Sequence, residues 1–208
     1  NSIQVLSREN KLKKIFQFRF YNLKPFTWSI ENDGEFNWFG SYANGISKVD
    51  LRTGKSVAGF KPVPRDLYNS RGIPWADVYS IYKSSDGSVW FGTMKSLSRL
   101  YPGTDTLRHY RFSDGLSSET VYGILEDKEG NIWVSTYNGI SKIEPKTGTF
   151  TNYYREDGLQ ANEFNQYSYH KDREGILYFG SVLGITVIKP QPAGGKDKFP
   201  VMKITGIH

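Results

Sequence analysis

The sequence predicts an all-β protein made of repeated four-stranded antiparallel sheets, and three observations carry that prediction. Of 208 residues 21 are Gly and 9 are Pro, with no alanine- or leucine-rich stretch of helical length, so turns cut the chain at short intervals. Aromatic residues make up 15% of it, a supply of β-forming and buriable side chains that excludes a disordered chain. A block with a central aromatic anchor recurs four times, as Asn37-Trp38-Phe39-Gly40, Val89-Trp90-Phe91-Gly92, Ile132-Trp133-Val134-Ser135 and Leu177-Tyr178-Phe179-Gly180. The anchors are 52, 43 and 45 residues apart, close to the ~40–50 residues of a propeller blade.

Each repeat accounts for its own strands. In residues 76–112, Val78 to Tyr82 is a β-rich run, Asp86-Gly87 a tight turn, and Val89 to Thr93 a second run. Ser96 to Tyr101 is the third strand, and Thr106 to Phe112 the fourth, reached through Pro102-Gly103. Residues 26–61 and 120–154 read the same way, and residues 164–188 supply three strands. Third strands open on a copied element, Asn44-Gly45-Ile46, Lys95-Ser96-Leu97, Asn138-Gly139-Ile140 and Leu183-Gly184-Ile185. Asn1 to Leu6 fits the same template with nothing before it, so residues 1–25 are a partial blade and 17 strands are expected. The fold class is thus a β-propeller segment of about four blades plus part of a fifth over residues 1–190, a piece of a larger ring. Such a segment is expected to form an open arc or to pair its edges with another chain, which makes self-association as a homodimer the expectation. Residues 191–199 are linker by composition, and 200–208 read as the first strand of a following β domain.

Within the repeats, Trp28, Tyr79, Tyr122 and Tyr167 align, each followed by a small residue, Ser29, Ser80, Gly123 and Ser168. Small side chains suit first strands that crowd around an axis. Gly40, Gly92, Ser135 and Gly180 are expected to lie under a ring of the next blade, and Gly34, Gly87, Gly130 and Gly175 to take the positive φ of hairpin turns.

Composition narrows the chemistry. Zero cysteines exclude disulfides, thiolate nucleophiles and Cys-ligated metals, and His109, His170 and His208 share no motif, so no metal site is expected. The net charge of +6 favours anionic partners without any basic run that points to nucleic acid. No apolar run is long enough to span a membrane in this segment. Glu126-Asp127 and Glu156-Asp157 sit beside repeat turns and read as turn formers rather than a catalytic pair, and Gly194-Gly195 follows a proline linker rather than a strand. No enzyme activity and no cofactor is expected.

Val121 to Ile140 resembles the two-component regulator propeller repeat, roughly V-Y-x-I-x-x-D-x-x-G-N-I-W-V-x-T-x-N-G-I, at Asp127, Gly130, Asn131, Trp133, Thr136 and Asn138-Gly139-Ile140. The other copies depart from it with Tyr178 for Trp, Lys95-Ser96 for Asn-Gly, and Ser84 where Asp127 stands. Phe199 to Ile207 looks like the entry to the triple-tyrosine domain that follows such propellers. Over about 185 residues, the resemblance implies the periplasmic ectodomain of a membrane-spanning hybrid two-component histidine kinase. It implies a sensor that binds an oligosaccharide and passes a conformational signal inward; a scaffold for protein–protein interaction or dimerisation with no small ligand is the alternative.

A propeller presents its second-to-third-strand loops and its blade links on one face around the axis. On that face the candidate ligand-binding residues are Tyr42, Trp75 and Tyr137, which can stack on sugar rings, with Arg65, Arg71 and Lys95, which can pair with carboxylate or sulfate. The expected partner is an oligosaccharide, neutral or acidic, whose acidic groups these cations would fit.

Overall fold

Two short strands open the architecture of the computed structural model, which describes the strands 2–6 and 12–17 and residues 27–63 and 71–190. These strands, β1 (Ser2–Leu6) and β2 (Leu12–Gln17), pair with each other. Three four-stranded antiparallel sheets follow in meander order. They are β3 (Thr27–Asp33) to β6 (Ser56–Phe60), β7 (Val78–Lys83) to β10 (Leu107–Tyr110), and β11 (Val121–Glu126) to β14 (Thr149–Tyr153). Inside them lie β4 (Phe36–Ser41), β5 (Ile46–Asp50), β8 (Val89–Thr93), β9 (Leu97–Leu100), β12 (Ile132–Thr136) and β13 (Ile140–Glu144). A three-stranded sheet of β15 (Phe164–Lys171), β16 (Leu177–Ser181) and β17 (Gly184–Ile188) ends the described chain, making 17 strands. The expected linker at 191–199 and strand at 200–208 lie outside the described residues.

The outer strands are shorter than the sequence reading placed them. The fourth strand of the second sheet ends at Tyr110 because Phe112–Asp114 winds into a 3-10 turn, closed by Gly115 at φ 111. Arg155–Asp157 repeats that turn, with Gly158 also at φ 111, so the Asp-Gly-Leu links are one structural device used twice. In each, the Asp carboxylate accepts the backbone N–H three residues earlier, Arg111 or Tyr154, both at 2.9 Å.

First strands pack side by side in chain order, β3 against β7, β7 against β11, and β11 against β15. Period-two alternation then sends neighbouring side chains to opposite interfaces. In β8, Val89 and Phe91 join the core shared with the preceding sheet, while Trp90 joins the core shared with the following one. In β12, Ile132 and Val134 face back and Trp133 faces forward in the same way. The structure changes one detail of the packing. Beneath Gly40 and Gly92 lies not a ring but the first strand of the next sheet: a Cβ on Gly40 would meet Val78 Cβ at 2.9 Å, and one on Gly92 would meet Val121 Cγ1 at 2.8 Å.

The polar atom of each anchor donates to an acceptor within its own repeat. The Asp127 carboxylate accepts the Trp133 indole N–H at 2.8 Å, the Asn131 amide at 2.9 Å and the backbone N–H groups of Glu129 and Asn131. The Asp, Asn and Trp of the repeat are therefore one hydrogen-bonded unit. Asp33 and Asp172 accept from Trp38 and the Tyr178 hydroxyl, and Ser84 does the same for Trp90 at 3.2 Å, so the Ser keeps the acceptor where the Asp is missing. Behind each tryptophan stands the aromatic residue that ends the fourth strand, Phe60, Tyr110 or Tyr153, stacked with centroids 6.5, 5.7 and 5.6 Å away. A cation from the third strand, Lys48, Arg99 or Lys142, lies over the same ring. Glu126, read as a turn residue, instead accepts the backbone and hydroxyl of Ser85 across the interface between the second and third sheets.

Asp33 is bonded by both Lys48, at 2.7 Å, and Lys83. Burial raises its carboxyl, but hydrogen bonds from the two ammonium groups outweigh that and bring it down to about 2. A carboxyl lowered in the folded state contributes stability above its unfolded pKa of about 4 and loses it as pH falls toward 2. With Lys83 38% exposed, solvent screening reduces the effect to about 1 kcal/mol. Asp33→Asn is expected to lose that amount at neutral pH and to flatten the fall in urea midpoint between about pH 4 and 2; identical acid limbs for the two proteins would refute the assignment.

Candidate functional site

The loops joining second and third strands are closed by a short side chain that turns back on its own loop. Ser41, Thr136 and Ser181 donate to the carbonyls of Gly45, Gly139 and Gly184, each at 2.9 Å, and Thr93 donates to Ser96 at 3.1 Å. The tips of these loops carry exposed apolar or aromatic side chains: Tyr42, Met94, Tyr137, Val182 and Leu183.

Below the tips, the first strands share an irregularity. Pairing shifts by one residue between Thr27 and Ser29, between Val78 and Ser80, and between Val121 and Gly123. The residue left over at each β-bulge is aromatic: Trp28, Tyr79 and Tyr122. In β15 the shift spans Phe164 to Tyr169, two residues longer, and includes Tyr167 at φ 59. Bulges re-aim side chains, and here they bring the rings together. Tyr42 lies 5.0 Å from Trp28, Trp28 stacks on Tyr79 at 5.3 Å and 15°, and Tyr79 lies 5.7 Å from Tyr122. Tyr167 of the fourth sheet meets Trp28 of the first edge-on at 6.3 Å.

Asp77 holds the rim of this cluster. One carboxylate oxygen accepts the Ala43 N–H at 3.1 Å, which fixes the neighbouring sheet's loop where Ala43 takes φ 68; the other accepts the Trp75 indole N–H at 3.2 Å. Lys95 Nζ lies 5.9 Å from the Trp75 ring centre. Burial, then the Asp77 charge, raises the Tyr79 phenol; burial, then Glu163 and Tyr137, raises Tyr122; burial pushes Tyr167 up to about 12. These phenols stay protonated and can donate.

Of the sequence candidates, Tyr42, Trp75, Lys95 and Tyr137 lie on the loops and links of this face. Arg65 lies outside the described residues. Arg71 lines a different place, a groove of about 650 Å³ between the first two sheets, with Asp33, Lys48, Lys83 and the turn at Pro102-Gly103. That groove is open because β6 presents Ala58 and Gly59 where β10 carries Arg108 and His109. Sequence reasoning left out the floor of the face, Trp28, Tyr79, Tyr122 and Tyr167, and its brace, Asp77. The four-fold alignment of the aromatics was the available signal, and it read as packing alone.

Aromatic rings thus gather at the strand-entry end of a propeller built from repeated sheets. The family model described as two component regulator propeller matches two segments of the chain, residues 72–95 and 115–138. Among solved structures, the extracellular domain of BT3049 from B. thetaiotaomicron, described as a hybrid two component system, superposes with a TM-score of 0.68 at 23% identity, covering 86% of this chain and 26% of that one. The extracellular domain of BT4673 from the same organism, described as a one component system, gives 0.62 at 20% identity, covering 85% and 23%. The computationally designed Ika4 protein gives 0.58 at 14% identity, covering 84% and 96%. The chain thus shares the fold of these domains and spans about a quarter of the length of the two from B. thetaiotaomicron. No curated protein matches it.

Proposed function

We propose that this chain is part of the ligand-sensing ectodomain of a bacterial two-component sensor on the periplasmic side of the inner membrane. An oligosaccharide binds the ringed face and passes a conformational signal to a membrane-spanning histidine kinase, which requires that it bind two states unequally. The observation that carries this reading is the register irregularity at the same end of all four first strands, a one-residue bulge in three and a longer shift in the fourth, each with an aromatic residue within it. The matched repeats and the descriptions of the two extracellular domains support the sensory role. Among the described residues no helix is long and apolar enough to cross a membrane.

A thermal-shift and titration panel of oligosaccharides on the intact protein tests the reading, because a ligand that binds only the folded state raises its stability. Tyr137, 56% exposed, and Trp75, 40% exposed, can be truncated at little cost in stability. Tyr137→Ala and Trp75→Ala are each expected to weaken a responding glycan about tenfold, the worth of a ring contact. A broad panel with no response from folded protein would sink the reading.

The alternative scaffold reading draws on the end of the chain's last sheet. Val182, Leu183 and Ile185 are exposed beside β17, whose outer edge carries no strand among the described residues. Concentration-dependent association by light scattering, together with an unresponsive glycan panel, would favour it.

A further inference from the structure

We infer that the ligand of the ringed face is an uncharged, polyhydroxylated chain rather than an acidic one, with the Asp77 and Glu163 carboxylates accepting its hydroxyls. This rests on the reading that the face binds an oligosaccharide, and it chooses between the neutral and acidic ligands that the sequence left open. The residues entering the first strands occupy equivalent places just before Val78, Val121 and Phe164, and they are Asp77, Thr120 and Glu163. All three offer acceptor oxygens. Thr120 is tied to the adjoining loop through the Met94 carbonyl at 3.0 Å, and the Glu163 carbonyl accepts Val182 N–H at 3.3 Å, so this row borders the exposed loop tips.

Charge decides the class of ligand. Of the three cations expected on the face, Arg71 lines the groove between the first two sheets, and Arg65 lies outside the described residues. Among the described residues Lys95 remains, held near the Trp75 ring. Against it stand Asp77, close enough to act on Tyr79 and Tyr167, and Glu163, close enough to act on Tyr122. Among the described residues, a sulfate or uronate brought among these rings would meet the Asp77 and Glu163 carboxylates and the Lys95 ammonium, and like charges in a partly desolvated site repel. A neutral glycan meets none of that cost. Each Asp77 oxygen has taken one hydrogen bond, from Ala43 or from Trp75, so each keeps acceptor capacity for a sugar hydroxyl. Trp75 and Tyr137 are exposed and of a type that stacks on the apolar side of a sugar ring.

Calorimetric titration of the intact protein with neutral gluco-, xylo- and arabino-oligosaccharides, and with uronate-containing and sulfated oligosaccharides, tests this at two salt concentrations. A neutral chain is expected to bind with an affinity that salt leaves unchanged, weakened about tenfold by Asp77→Asn and about threefold by Glu163→Gln through loss of charge-assisted hydrogen bonds. Asp77→Asn also loosens Trp75, so the exposed Glu163 is the cleaner probe of charge. Tighter binding of an acidic chain, falling with salt and lost in Lys95→Met and Tyr137→Ala, would overturn the inference while leaving the ligand reading in place. Binding of neither class, or binding that survives Trp75→Ala and Tyr137→Ala, would overturn both.

Discussion

Trp133→Ala is expected to destabilise the protein by about 4 kcal/mol, the range for emptying a fully buried aromatic site. The ring is 1% exposed, stacked on Tyr153 at 5.6 Å and 15°, covered by Lys142 and bonded through its indole N–H to Asp127 at 2.8 Å. Its removal leaves a cavity between the third and fourth sheets and an Asp127 oxygen short of one donor. The equivalent Tyr178→Ala should cost about 1 kcal/mol. Tyr178 is half-buried, has Val187 rather than a cation opposite it, and belongs to a sheet with no fourth strand among the described residues. Urea midpoints of the two variants, read by fluorescence of the remaining tryptophans, give the comparison directly. Equal losses would show that the stack behind the anchor contributes little.

Gly139→Ala should be the most damaging change for its size, at about 3 kcal/mol. Gly139 sits at φ +92, and an added Cβ would lie 2.5 Å from the Tyr153 carbonyl oxygen. The left-handed backbone costs a side chain roughly 1–2 kcal/mol, and overlap with an atom of the neighbouring strand costs a further 1–3 kcal/mol or so. Gly45 is in the same position, with its Cβ set against the Phe60 carbonyl. Gly184 has positive φ too, at +137, but nothing within 4 Å of the added atom, so Gly184→Ala should lose only the backbone part, about 1 kcal/mol. The difference between the two alanines isolates the presence of a fourth strand. In the second sheet, Ser96 stands at this position with no positive φ, and its hydroxyl contacts those of Thr93 and Ser98 instead. That explains why Lys95-Ser96 can replace Asn-Gly. Thermal unfolding of the two glycine variants is the measurement, and a Gly139→Ala loss no larger than that of Gly184→Ala would refute the contact.

The strands were legible because their signals are local. Turn glycines such as Gly87 and Gly130, at φ 82 and 84, mark hairpins whatever surrounds them. Alternation in Val89-Trp90-Phe91 reports two buried faces within a single strand. The loop residues Tyr42 and Tyr137 were legible as surface candidates for the same reason, since they follow a strand end and precede a turn.

What escaped depends on two sheets at once. Asp77 braces Ala43 across 34 residues of chain, and Glu126 reaches Ser85 across 41; no spacing within one repeat marks either as a partner. Arg71 sits in the copy of the blade link yet points its chemistry to the groove that Ala58 and Gly59 leave open, a vacancy created by another strand. The aligned Trp28, Tyr79 and Tyr122 looked like packing positions because a bulge is a mismatch between paired strands, and one strand read alone has no register to break. The sequence by itself determined the number of strands, their turns and the position of the aromatic anchors, all set by backbone conformation and by residues within one repeat. Only the tertiary structure decided which rings share a face and which charges surround them, because that follows from how neighbouring sheets stack.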